Sequence, residues 1–120
     1  MSGQVGLKMV IVVRRDLNMT RGKECAQVAH AALMSILPRQ KDTSVGLWLD
    51  GGQAKIVLSA ENSENLCAIA SEAIESNIHV QEVIDAGRTM FGGTNTLTCI
   101  ALGPDDSDRL DSITGNLRLR

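Results

Sequence analysis

The chain has 120 residues, 43% of them hydrophobic and 22% charged, with a formal net charge of −2; this fits one domain, which buries roughly two-thirds of its unfolded surface and folds without disulfide or metal. Aromatics are 2%, Trp48 and Phe91 alone, which excludes a platform of stacked rings for single-stranded nucleic acid. A polyanionic partner would need a local basic patch, and Arg14, Arg15, Arg21 and Lys23 supply the one candidate.

Residues 1–7 read as a flexible amino-terminal segment and 8–120 as a single domain. "KMVIVV" (Lys8–Val13), with its apolar run "MVIVV", predicts a strand buried on both faces. It is far too short to span a membrane, and the arginines after it do not fit a signal peptide. "RRDLNMTRG" follows as a loop. Thr20 is the expected N-cap of a helix that carries Lys23 in its first turn, runs to about Leu37 and stops at Pro38. "RQKDTS" is a polar connection, and "VGLWLDGG" adds a short turn of helix. "AKIVLSA" is a second strand. "ENSENLCAIASEAIESN" is a helix, with Leu66, Ile69, Ala70, Ala73 and Ile74 on one face. "HVQEVID" is a short third strand, "AGRTMFGGTNT" a loop, and "LTCIALGP" a fourth strand ended by Gly103–Pro104. "DDSDRLDSITG" gives a last short helix, whose acidic start suits the positive end of its dipole.

The order β-α-β-α-β-β-α implies parallel pairing among the first three strands and helices on both faces. The loop before the fourth strand is too short for a helical crossover, so that strand is expected to be antiparallel in a mixed sheet. Ligands of open α/β sheets sit beyond the carboxyl ends of the parallel strands. The Arg14–Lys23 and Asp85–Thr96 loops both leave from that edge.

"RGKE" is not a P-loop: Leu17 stands where a glycine is required, and Glu24 follows the lysine. A helix N-terminus with a lysine still attracts phosphate or developing negative charge. The plain alternative for Lys23 is a solvated first-turn residue, although the helix dipole disfavours a cation there. Gln27 and His30 continue the stripe at helical spacing. A single histidine on an apolar helix is more often a hydrogen-bonded core residue than a catalyst, and His79 reads as a surface residue at a strand entry. In "DAGRT", Asp85 is an acceptor and candidate base, Arg88 an anion binder and Thr89 a hydroxyl donor; taken alone, the stretch also fits an ordinary turn. Asp105, Asp106 and Asp108 look like a helix start. Cys25, Cys67 and Cys99 are scattered and form no CxxC pair, so no metal site and no cofactor is expected, and free thiols fit a reducing cytoplasm.

Taken together, "KMVIVVRRDLNMTRGKECAQVAHAAL", "GQAKIVLSA", "IDAGRT", "GTNTLTCIALGP" and "TGNLRL" closely resemble the type 2 peptidyl-tRNA hydrolases of archaea and eukaryotes, from about Lys8 to Leu119. The resemblance implies a three-layer α/β/α fold on a four-stranded mixed sheet with one antiparallel strand. It implies cleavage of the ester between a nascent peptide and the 3′-terminal ribose of tRNA, which recycles tRNA from stalled translation. The family's functional positions fall on Lys23, Gln27, His30, Asp85 and Thr89, with Arg14, Arg15, Arg21, Lys23 and Arg88 available to the tRNA backbone. Two positions depart from common members: Met90 follows Thr89 in place of glutamine, and Cys25 replaces alanine. The partner implied is peptidyl-tRNA, with no membrane, and a homodimer is common in the family. The alternative is a non-catalytic relative that binds RNA or protein in the same cleft.

Overall fold

The computed structural model describes residues 6–87 and 92–120. In chain order the elements are β1 (Leu7–Arg14), a 3-10 turn (Arg15–Leu17), α1 (Arg21–Ile36), a second 3-10 turn (Leu37–Arg39) and α2 (Thr43–Asp50). Then come β2 (Lys55–Ala60), α3 (Ser63–Glu75), β3 (Val80–Asp85), β4 (Thr96–Asp106), α4 (Ser107–Thr114) and β5 (Arg118–Leu119). The starts of α1, α3 and α4 are set by short polar side chains that satisfy otherwise unpaired amides. Thr20 Oγ1 accepts from Lys23 N–H, Asn62 Oδ1 from Asn65 N–H, and Asp106 Oδ1 from Asp108 N–H. Pro38 ends α1 as expected, and the chain tightens there into the 3-10 turn. The stretch around Trp48 makes two turns of true helix, and its buried indole donates to the Ala54 carbonyl.

The sheet has five strands in the order β3-β4-β1-β2-β5. β1 and β2 are parallel; β4 is antiparallel to both β1 and β3, and β5 is antiparallel to β2. The expectation of four strands is therefore corrected to five, and that of one antiparallel strand to two. β5 is only two residues of edge strand, too short to carry a period-2 pattern. β4 is antiparallel as expected, but it inserts between β3 and β1. β3 thus shares the direction of β1 and β2 without pairing with either.

Side chains alternate across the sheet, so β1 feeds both faces. Val10 and Val12 pack with Leu66, Ala70 and Ala73 of α3 and with Leu110 and Ile113 of α4. Met9, Ile11 and Val13 pack on the other face with Ala31 of α1, Trp48 of α2, and Cys99 and Ala101 of β4. All five residues Met9–Val13 are fully buried. Each large aliphatic side chain so buried stabilises the fold by about 1.5–3 kcal/mol. The result is a helix layer on each face of the sheet. The exit of β1, the start of α1, the end of β3 and the start of β4 meet at one edge.

Candidate active site

Lys23 stands in the first turn of α1 and Asp85 at the last position of β3. The two are 62 residues apart in sequence, yet Lys23 Nζ donates to Asp85 Oδ1 at 2.7 Å. Both side chains are mostly sheltered, at 19% and 15% exposed. This contact accounts for a cation at the unfavourable end of a helix dipole: the lysine answers a carboxylate across the cleft. The second carboxylate oxygen of Asp85 accepts from the Gly87 N–H at 2.8 Å. Lys23 first, and then the Gly87 amide, hold the Asp85 carboxyl below its ordinary range against the opposing effect of burial; the charges of Lys23 and His30 add to the lowering.

The turn after Asp85 has one allowed shape. Gly87 has φ +77°, and a Cβ there would lie 2.5 Å from the Thr94 carbonyl oxygen. The Gly87 carbonyl in turn accepts from Gly93 N–H at 2.9 Å, which closes the loop at its base. Thr96 Oγ1 donates to the Thr94 carbonyl beside it. Arg88, Thr89 and Met90 lie outside the described residues.

Gln27 is 3% exposed and lies one turn behind Lys23. Its amide Nε2 donates to Thr98 Oγ1 at 2.9 Å, and that hydroxyl donates to the Val83 carbonyl at 3.2 Å. From the other side, the Cys99 thiol donates to the Gln27 carbonyl. Gln27 therefore pins α1 to β4 and β3 directly under Lys23. Burial pushes the Cys99 thiol up to about 11, so it is not a nucleophile at neutral pH. Thr98 was legible only as a polar outlier in an apolar strand.

The two histidines exchange the places expected of them. His30 is exposed, not a core residue, and near enough to Asp85 for its charge to count. His79 is half-buried, not a surface residue; its Nε2 is buried with no hydrogen-bond partner among the described residues. Desolvation first, then the nearby Arg39 charge, lower its pKa. Local periodicity does not set either burial: α1 turns His30 past the rim of its seat, while His79 is enclosed by segments distant in sequence.

The arginines are less uniform than their clustering implied. Arg14 donates twice to Asp16 and once to the Leu97 carbonyl, at 3.1, 2.8 and 3.0 Å. It braces the exit of β1 against the start of β4. Arg15 pairs with Glu61 at 3.3 Å, and Arg21 is exposed at the helix start. A further pair was not anticipated: Arg120 grips both oxygens of Glu24, the residue after Lys23, at 2.9–3.1 Å. An apolar hollow of about 400 Å³ lies on the other flank of α1 between Val28, Ala32 and Val57. It is not at the Lys23–Asp85 pair, which places opposite charges where a reacting group could meet them. Among the described residues no three His, Cys, Asp or Glu side chains gather as a metal would need, and no helix is long and apolar enough to cross a membrane.

The sequence profile of the peptidyl-tRNA hydrolase PTH2 family matches residues 7–120. A peptidyl-tRNA hydrolase of Haloquadratum walsbyi is 45% identical over 116 residues, covering 94% of this chain and 99% of that protein. One of Nanoarchaeum equitans is 44% identical over 115 residues, covering 94% and 98%. One of Metallosphaera sedula is 39% identical over 117 residues, covering 94% and 99%.

Proposed function

This chain belongs to the peptidyl-tRNA hydrolase PTH2 family and is a peptidyl-tRNA hydrolase, and we propose that its chemistry runs through the Lys23–Asp85 pair. It cleaves the ester between a nascent peptide and the 3′-terminal ribose of tRNA. The observation that carries the mechanism is the 2.7 Å contact between Lys23 Nζ and Asp85 Oδ1. It brings a base and an electrophile within reach of one small group.

In the resting enzyme Asp85 is ionised and, held by Lys23, a weak base. When the ester carbonyl enters, Lys23 turns from Asp85 to the carbonyl oxygen. That releases the basicity of Asp85 as negative charge builds on the oxygen. Asp85 takes a proton from water, and the hydroxide adds to the carbonyl carbon. The oxyanion is stabilised by Lys23, a contact worth about 3–4 kcal/mol in the transition state. Collapse breaks the bond to the ribose oxygen, which takes its proton back from Asp85. No protein nucleophile is needed, in keeping with the buried, protonated Cys99. Gln27 acts as a positioning residue, as its bond to Thr98 supports. His30 flanks Asp85 and supports the cleft. Thr89 positions the ester, and Arg88 joins Arg21, Arg15 and Arg14 along the tRNA backbone, with Arg21 the most available of the three described arginines.

The enzyme acts in the cytoplasm without a metal or cofactor. It forms a homodimer, which the exposed Leu33 and Leu47 on α1 and α2 support and light scattering measures. The deciding experiment for the activity follows release of labelled peptide from purified peptidyl-tRNA, with free aminoacyl-tRNA for comparison. Release from the first and little from the second is expected. No release from either would refute the activity and leave an RNA- or protein-binding relative.

A further inference from the structure

A hydrolase of peptidyl-tRNA meets acyl chains of many sequences, so whatever holds the peptide must read main chain and tolerate any side chain. An open sheet edge offers that kind of recognition, because its unpaired amides and carbonyls accept an added strand. β3 is such an edge: among the described residues its only strand neighbour is β4. The register fixes which groups face outward. His79 is opposite Gly103 and its carbonyl accepts from Gly103 N–H at 3.0 Å. Hydrogen-bonded pairs alternate along an antiparallel ladder, so Gln81 and Val83 turn their backbone groups to β4, and Val80 and Glu82 turn theirs outward. The Gln81 side-chain amide donates to the Glu82 carbonyl at 3.0 Å, taking the place a neighbouring strand would occupy.

This edge leads directly to the chemistry, since Asp85 is the last residue of β3. Beside the strand runs a groove of about 430 Å³ lined by Ala70, Ile74, Val80, Gln81, Glu82 and Ile84. Ile74 and Ile84 are 61% and 59% exposed, a large apolar surface to leave next to an unpaired strand. We propose that β3 holds the acyl peptide of the substrate as an added strand, with its ester carbonyl at Asp85. The inference rests on the hydrolase reading above and extends it to the peptide half of the substrate. The polarity follows from the chemistry: the ester is at the peptide's C-terminus and β3 points its own C-terminus at Asp85, so the added strand is parallel to β3. At about 3.3 Å per residue, the six residues of β3 accommodate five or six peptide residues. Main-chain bonds supply the affinity, and the groove, lined equally by polar and apolar surface, takes alternate side chains without selecting among them. The Gln81 amide is displaced as the peptide docks.

The test compares kcat/KM for four substrates: tRNA bearing one N-acetylated amino acid, tRNA bearing a six-residue acyl peptide, and the same six-residue substrate N-methylated at alternate amides in each of the two phases. The six-residue substrate should exceed the one-residue substrate by roughly tenfold, the worth of two main-chain hydrogen bonds. N-methylation in one of its two phases should abolish that gain, whereas exchanging side chains should not. Glu82→Pro removes one outward amide and leaves the bonds to β4, so the six-to-one ratio should fall from about ten to about three. Equal kcat/KM for one and six residues, full activity with both phases of N-methylation, or a folded Glu82→Pro enzyme that keeps the ratio would overturn the inference. If Glu82→Pro does not fold, the N-methylated substrates decide on the native enzyme. No release from any substrate overturns the hydrolase reading with it, whereas release indifferent to length overturns the added strand alone.

Discussion

Replacing Lys23 by alanine separates two uses of one ammonium group. In the resting state the group completes a 2.7 Å ion pair with side chains 19% and 15% exposed. A charge-assisted hydrogen bond contributes about 1.5–3 kcal/mol, and partial solvent screening brings this pair to about 1–2 kcal/mol. Asp85 keeps its bond from the Gly87 amide, so it is not orphaned, and the loss of fold stability should stay in that range. In the transition state the same group meets the oxyanion, and its removal should cost about 3–4 kcal/mol, roughly 10²–10³ in turnover. The assay is single-turnover hydrolysis of labelled peptidyl-tRNA at several enzyme and salt concentrations, beside urea melts. Arg21→Ala is the control. It should weaken tRNA binding, spare turnover at saturation and flatten the salt dependence by about 0.7–0.9 log units per decade of salt. If Lys23→Ala and Arg21→Ala lose activity alike, and more enzyme restores both alike, Lys23 binds phosphate and takes no part in the chemistry.

Asp85→Asn keeps an oxygen for Gly87 N–H but sets an amide against Lys23; the fold should survive and turnover fall by about 10²–10⁴, so near-native turnover would exclude Asp85 as base. The Asp85 carboxyl is held below its ordinary 3.8, so its contribution to stability is complete above that value and is lost only as pH falls through the lowered one. The urea-midpoint difference between the native protein and Asp85→Asn should therefore be steady from about pH 7 to 5; a difference that fades by pH 6 contradicts the assignment. Gly87→Ala places a methyl 2.5 Å from the Thr94 carbonyl at φ +77°; expect destabilisation of at least about 1–3 kcal/mol with loss of activity, and native-like melts would show that the turn can relax. Exhaustive chelation should leave turnover intact once magnesium for tRNA folding is controlled, and a loss that zinc alone restores would establish a metal enzyme.

The parts of the fold legible in the sequence are those in which a local signal and a tertiary need coincide. Met9–Val13 of β1 are apolar at every position because both faces are covered. Thr20 caps α1, and Lys23, at the head of the polar stripe, meets Asp85 where β3 ends. The strand order was not legible. A helical connection from β2 to β3 fixes their direction but not their adjacency, and the slot between β1 and β3 is filled by a later strand. β5 was missed because two residues carry no period. Single polar residues fared worst. Arg14 reads in the sequence as one of a basic cluster, and its bonds to Asp16 and to the Leu97 carbonyl, the latter 83 positions away, leave no local trace there. The exposure of His30 and the enclosure of His79 depend on which segments pack beside them. Arg88 and Thr89 lie outside the described residues.

The Gln27–Thr98 bond works as a key in a shaft. A smooth apolar helix can slide or roll on a sheet at little cost, because one methyl group substitutes for another. A shift of α1 by one residue means a rise of about 1.5 Å and a turn of roughly 100°. Such a shift would strand the Gln27 amide in an apolar seat, where an unsatisfied group costs about 1–3 kcal/mol, while the Thr98 hydroxyl keeps its bond to the Val83 carbonyl. The keyed position is four residues from Lys23, so little angular error accumulates before the ammonium. Substituting an aliphatic residue of similar volume at Gln27 would therefore harm the enzyme even where it raised the melting temperature. α1 would gain freedom to settle at angles from which Lys23 does not reach Asp85.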